Sequence, residues 1–209
     1  MDVMGWETFM HGVFAIAITL LVLDIRVPSA ESAETGEALV NALVHEGPRY
    51  LAFVLGFLYV GTYWIATHRT LRMLRGVDHW FLAIGLIYLM LISAVPFATG
   101  LLAEYIGLDN NRDQVALVIF TSWQLLLSIL ANISLRYAAH NGRLLRPDLD
   151  PAALRMWLRI AALGPVIWVV ALLAALFLSG TITLILMGAI LLLFMLEVPT
   201  LNQADAPAA

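Results

Sequence analysis

Six stretches of the chain are each apolar over about the length of a bilayer crossing, and nothing else in the sequence constrains the fold as strongly. A transmembrane helix needs about 20 predominantly apolar residues to cross ~30 Å of hydrocarbon. The runs 9–26, 49–72, 79–106, 113–137, 155–178 and 181–198 meet that requirement. Of the 209 residues, 62% are hydrophobic and 12% charged, against roughly half and a quarter in a soluble domain. The expected fold is an all-α membrane protein of about six transmembrane helices, with residues 1–198 as one domain and 199–209 as a short cytoplasmic tail.

The breaks between these runs carry turn chemistry: "RGVD" after the second, "GLDNNRD" after the third, "HNGRLLRPDLDP" after the fourth and "SGT" after the fifth. The longer first connection contains "GEALVNALVHEGP", amphipathic enough for a short helix at the membrane interface. Pro96 and Gly164-Pro165 are candidate kinks. The first run follows "MDVMGWETFMH", which lacks the basic residues of a secretory leader, so it is expected to be retained.

All eleven cationic side chains are arginines. Arg69, Arg72, Arg75, Arg136, Arg143, Arg146, Arg155 and Arg159 cluster at the connections after runs two and four, while only Arg26, Arg49 and Arg112 fall on the other side. The positive-inside rule places both termini in the cytoplasm, in a multi-pass protein of the cell (inner) membrane. The outer side then carries Asp24, Glu31, Glu34, Glu37, Glu46, Glu104, Asp109 and Asp113, an acidic mouth that concentrates cations.

Several function classes fail on parts. With no cysteine there is neither a disulfide nor a thiolate metal site. The five histidines are scattered, so no metal site is expected, and no nucleophile elbow or glycine-rich phosphate loop is present. The expectation is a protein that is not an enzyme, needs no cofactor and has no nucleic-acid partner.

The first run, "FMHGVFAIAITLLVLDI" (9–25), is uncharged from 12 to 23 yet carries His11 at one end, Thr19 inside and Asp24 at the other end. At ~3.6 residues per turn, Ile16, Leu20 and Leu23 share a stripe with Thr19 beside it. Around a symmetry axis each position would become a ring, and rings of branched aliphatics form constrictions that gate by dewetting. The same stripe also suits contact with lipid or a neighbouring helix. Further along, Gln124, Ser128, Asn132 and Arg136 form a polar stripe on the fourth run, expected to serve hydrogen bonding between helices. Trp64, Trp80, Trp157 and Tyr105 are expected as interfacial anchors.

The first run resembles the first-helix signature of the transmembrane protein 175 family, Phe-Ser-Asp followed by a stretch close to GVFAIAITLLVL. Phe9 and residues 12–23 match it. "YWIATHRTLRMLRGVD" (63–78) is similar to the family's Tyr-Trp-x-x-His-His-Arg segment, and "PFATGLLAEY" (96–105) to its Pro-Phe-x-Thr-x-Leu-Leu-x-Glu-Tyr. The resemblance implies a homotetrameric, potassium-favouring passive cation channel embedded in the lipid bilayer, with four first helices around the pore. It implies that the constriction falls on Ile16, Leu20 and Leu23 and the hydroxyl layer on Thr19. Asp24 would mark the outer mouth, and Phe9, His11, Trp64, His68 and Arg69 the network that holds the pore helix.

The chain departs from the pattern at that network. Met10-His11 replaces Ser-Asp, Gly5 replaces a basic residue, and Thr67 replaces the first histidine of the pair. Loss of the anion at 11 is expected to strip a neighbouring cation or histidine of its partner. His11 is expected to join the first helix to the second as a neutral hydrogen-bonder, through Thr67 or Trp64. Two alternatives stay open: a proton leak or pH-gated pathway in which His11 titrates, and a non-conducting membrane scaffold.

Overall fold

The computed structural model describes residues 2–31, 33–106, 111–140 and 142–204, with side chains described up to residue 195. The described residues form eight α-helices: α1 Val3–Leu20, α2 Gly36–His45, α3 Gly47–Arg72, α4 His79–Ser93, α5 Val95–Tyr105, α6 Arg112–Ala139, α7 Pro151–Phe177 and α8 Gly180–Ala204. A 3-10 turn, Leu21–Asp24, tightens the end of α1. Asp109, counted above among the outer acids, and residues 205–209 of the expected tail lie outside the described residues.

The six apolar runs reappear with shifted edges. Val3–Asp24, Gly47–Arg72, His79–Tyr105, Arg112–Ala139 and Pro151–Phe177 are long and apolar enough to cross a membrane, and Gly180–Met195 is a shorter apolar helix. The third run is two helices, because Pro96 near the start of α5 has no N–H to continue the ladder and the chain re-aims at Ala94. By contrast, α7 continues through Pro165. The α8 backbone runs past 198 to Ala204, beyond the expected start of the tail. The interface segment is helical as expected, and none of α2 is buried.

Helix starts follow the sequence closely. Asp2 accepts from Gly5 N–H, Thr35 from Ala38 N–H, and Asp78 from Phe81 N–H, each satisfying one of the orphan donors of a first turn. Asp150 does the same for α7, with Pro151 at a first position where its missing N–H costs nothing. Asp78 also ties the two arginine-rich connections together. It accepts from the Tyr137 hydroxyl (2.8 Å) and from Arg143. Arg75 N–H donates to the Leu144 carbonyl and Arg146 N–H to that of Met73, both at 2.9 Å.

Without a hydrophobic drive between helices in lipid, close packing and interhelical hydrogen bonds hold a bundle. One core gathers Trp6, Met10, Phe14, Leu21, Phe81 and Tyr88 where α1 meets α4. A second gathers Tyr59, Phe120, Trp168 and Met187, and the Tyr59 hydroxyl donates to the Met187 carbonyl at 2.6 Å. Of the expected polar stripe of α6, Asn132 joins helices by donating to the Ala161 carbonyl of α7, whereas Arg136 Nε donates to Asn132 Oδ1 at 3.3 Å within α6 and the Gln124 side-chain amide makes no hydrogen bond. Gly164 lets α7 approach Ser128 so closely that a Cβ there would lie 2.5 Å from its Oγ.

Candidate functional site

The two sides of α1 differ sharply. One side buries Trp6, Met10, Phe14, Ala17 and Leu21 against the bundle, Ala17 at 1% and Leu21 at 0% exposure. The other side leaves Ile16 62%, Leu20 41% and Leu23 73% exposed. A face this apolar and this bare must meet lipid or another protein surface. The three aliphatics do share that face, and Thr19 is also exposed on it. Its hydroxyl lies 2.9 Å from the carbonyls of both Ala15 and Ile16, so its proton is spent on its own helix. The oxygen keeps lone pairs for an outside donor or cation.

Phe9 sits on the bare side, 48% exposed, with its ring centroid 5.7 Å from that of Trp6. Asp24 does not extend the stripe. The 3-10 turn leaves Leu23 outward and packs the Asp24 carboxylate against α5, where a Cβ on Gly100 would lie 2.9–3.1 Å from its atoms. The residue is half-buried, and one of its carboxylate oxygens is shut off from solvent. Two of the other expected outer acids, Glu46 and Glu104, are paired. Arg49 reaches Glu46 at 2.8 Å and also Glu104, and Arg26 reaches Glu104 at 3.3 Å. These pairs take charge out of the acidic mouth.

On the α3 side, α1 presents His11 and Glu7, one turn apart. His68 Nδ1 lies 2.9 Å from Glu7 Oε1, and His11 Nε2 lies 3.8 Å from the same atom. The His11 ring is 5.6 Å from His68 and 5.7 Å from Trp64, and Trp64 stacks on His68 at 15°. His11, Trp64 and His68 thus meet by ring contact. The anion lost at position 11 is replaced: Glu7 supplies a carboxylate one turn earlier. Spacing i, i+4 from His11 was the sequence signal for it. Thr67 turns instead to the Tyr88 hydroxyl, at 3.4 Å. The Arg69 guanidinium lies 5.9 Å from the Trp157 ring centre of α7. The expectation that no metal-ligand cluster forms is corrected too. Antiparallel packing of α1 on α3 brings ligand atoms of Glu7, His11 and His68 within 4.8 Å of one another.

A bundle of membrane-length apolar helices that turn bare apolar faces outward defines a multi-pass membrane protein, and comparison with known proteins identifies which kind. Residues 6–96 match the family described as endosomal/lysosomal potassium channel TMEM175. A potassium channel of Streptomyces collinus is 33% identical over 205 residues, covering 97% of each chain. The crystal structure of a lysosomal potassium-selective channel TMEM175 homolog from Chamaesiphon minutus superposes with a TM-score of 0.81 at 31% identity, covering 92% of this chain and 95% of that one. A chicken protein named endosomal/lysosomal proton channel TMEM175 is 32% identical over 113 residues, which are 51% of this chain and 22% of that protein. The chain belongs to the TMEM175 family, a family of ion channels and not of enzymes.

Proposed function

We propose that the protein is a passive, potassium-favouring cation channel, assembled as a homotetramer around α1. The observation that carries this reading is the bare stripe of Ile16, Leu20 and Leu23, with Thr19 beside it, on a helix whose opposite side is fully packed. In the tetramer Ile16 forms the main constriction and Leu20 and Leu23 extend the apolar gate. A narrow apolar ring charges each ion its dehydration cost, which is smaller for potassium than for sodium. Thr19 offers oxygens to partly dehydrated ions. Asp24, with the outer acids, draws cations to the mouth. One copy supplies one unit, residues 1–198 with the remainder as a cytoplasmic tail, and sits in the inner membrane with both termini in the cytoplasm.

The rival proton pathway through His11 draws support from the name of the chicken relative. His11, however, faces Trp64 and His68 of α3 and not the Ile16 stripe.

Ion flux from liposomes tests the reading, with potassium and sodium gradients compared for wild type and Ile16→Asn. Wild type passes potassium faster than sodium, and the variant passes relatively more sodium. Unchanged selectivity in Ile16→Asn removes Ile16 from the constriction. Flux of neither ion through folded tetramer leaves the scaffold reading. Proton flux abolished by His11→Gln, with no potassium flux, establishes the proton pathway.

A further inference from the structure

The geometry points to a transition-metal site formed by Glu7, His11 and His68, bridging α1 and α3. These are the three side chains that meet as possible ligands among the described residues. Two imidazole nitrogens converge on one carboxylate oxygen: His68 Nδ1 at 2.9 Å and His11 Nε2 at 3.8 Å. Four-coordinate Zn²⁺ with bonds of ~2.0–2.1 Å holds its ligand atoms ~3.3 Å apart. The two separations from Glu7 lie on either side of that value, and all three ligand atoms are within 4.8 Å of one another, so a metal draws them together by about 1.5 Å at most.

The state of the nitrogens strengthens the case. His11 Nε2 and His68 Nδ1 are buried atoms on half-buried side chains, and neither makes a well-aligned hydrogen bond, although Glu7 Oε1 lies at ion-pair distance from both. Buried polar atoms are normally satisfied. A single ion between the two rings and Glu7 satisfies both at once. The donor set, two imidazoles and a carboxylate, selects Zn²⁺ and its borderline neighbours over magnesium or calcium, which take all-oxygen shells. Three protein ligands leave a fourth position for water. The supports are also in place: Trp64 stacks on His68 and fixes its ring, and Glu7 and His11 share one turn of a rigid helix.

Because its ligands come from two helices, the metal ties the first half of α1 to the last two turns of α3. On the conduction reading above, that tie fixes the helix carrying Ile16. This consequence rests on that reading, whereas the site does not.

The test uses the purified oligomer in lipid nanodiscs, with Co²⁺ or Zn²⁺ alone as the probe. Wild type is expected to bind one ion per chain, to show the visible absorption of Co²⁺ held by nitrogen and oxygen ligands, and to melt higher with Zn²⁺. Loss of a supporting group alone weakens metal sites about 10–100-fold, so E7Q, H11Q and H68Q should each weaken binding at least about tenfold. His45, His79 and His140 remain in every variant and cannot account for the difference. Equal binding by wild type and variants, or no binding by wild type, overturns the site. Anomalous scattering from Zn²⁺-soaked wild-type crystals needs no variant to fold: a peak between residues 7, 11 and 68 supports it, and a peak only elsewhere overturns it. Failure of potassium flux would remove the consequence for conduction and leave each of these results unchanged.

Discussion

Gly85 is the position at which a single added methyl group should most clearly disturb the seat of α1. The six-membered ring of Trp6 lies directly on this glycine of α4: a Cβ there would stand 3.2 Å from Cη2 and 3.3 Å from Cε2, and closer still to Cζ2. Trp6 is only 3% exposed, and its neighbours in the core include Met10, Phe81 and Tyr88. A rigid indole wedged in this way has no flexible end to swing aside. Gly85→Ala must therefore push the ring, and α1 with it, away from α4 by an appreciable fraction of an ångström. Overpacking of this kind costs about 1–3 kcal/mol. For a chain of this size that corresponds to a fall of ~2–12 °C in melting temperature. Helix propensity pulls the other way, since Ala is favoured over Gly by about 0.8–1.0 kcal/mol inside a helix. Gly61→Ala is the matched control, because a Cβ at Gly61 of α3 meets nothing within 4 Å. The assay is thermal melting of the purified protein followed by tryptophan fluorescence. Gly61→Ala should melt at or above wild type and Gly85→Ala below it. Trp6→Leu should relieve the clash, so that Gly85→Ala costs less in that background. Equal melting of the two glycine variants, or an equal cost of Gly85→Ala with and without Trp6, would refute the reasoning.

Thr19→Val keeps the shape of the side chain and removes its oxygen, so potassium flux should fall in liposomes while the melting temperature stays near wild type; unchanged flux would take Thr19 out of the pathway. Asn132→Ala removes the bond from α6 to the Ala161 carbonyl of α7 and should cost about 0.6 kcal/mol, the average for interhelical bonds in membranes, and no more than about 1.7 kcal/mol, read as a lower melting temperature. The Phe81 backbone N–H, followed by the Tyr137 hydroxyl and the Arg143 guanidinium, holds the Asp78 carboxyl below the usual carboxylate range. A depressed acid stabilises the folded state above its unfolded pKa, so this contribution is complete at neutral pH and is lost as pH falls below about 4. Asp78→Asn should therefore melt lower than wild type at pH 7 and converge with it in acid; a gap independent of pH would refute the assignment.

The sequence by itself determined the class of fold, because hydrocarbon admits few alternatives: a backbone crossing it must satisfy its own hydrogen bonds. The apolar runs and the candidate kink at Pro96 could be read residue by residue, whereas the same signal at Pro165 gave no break, because α7 continues through it. So could the stripe on α1, since helical periodicity alone aligns Ile16, Leu20 and Leu23. Tertiary structure decided which neighbours each polar group meets. The partner of His68 is Glu7, 61 residues away in sequence, and no local rule links a carboxylate on one helix to an imidazole on another. Arg69 follows His68 directly yet faces Trp157, because neighbouring residues on a helix point about 100° apart and so meet different helices. Asp24 next to Leu23 likewise turns to Gly100, since the 3-10 turn and the missing Cβ open that space. Periodicity fixes which residues share a face, but only the packing of helices distant in sequence fixes what that face meets.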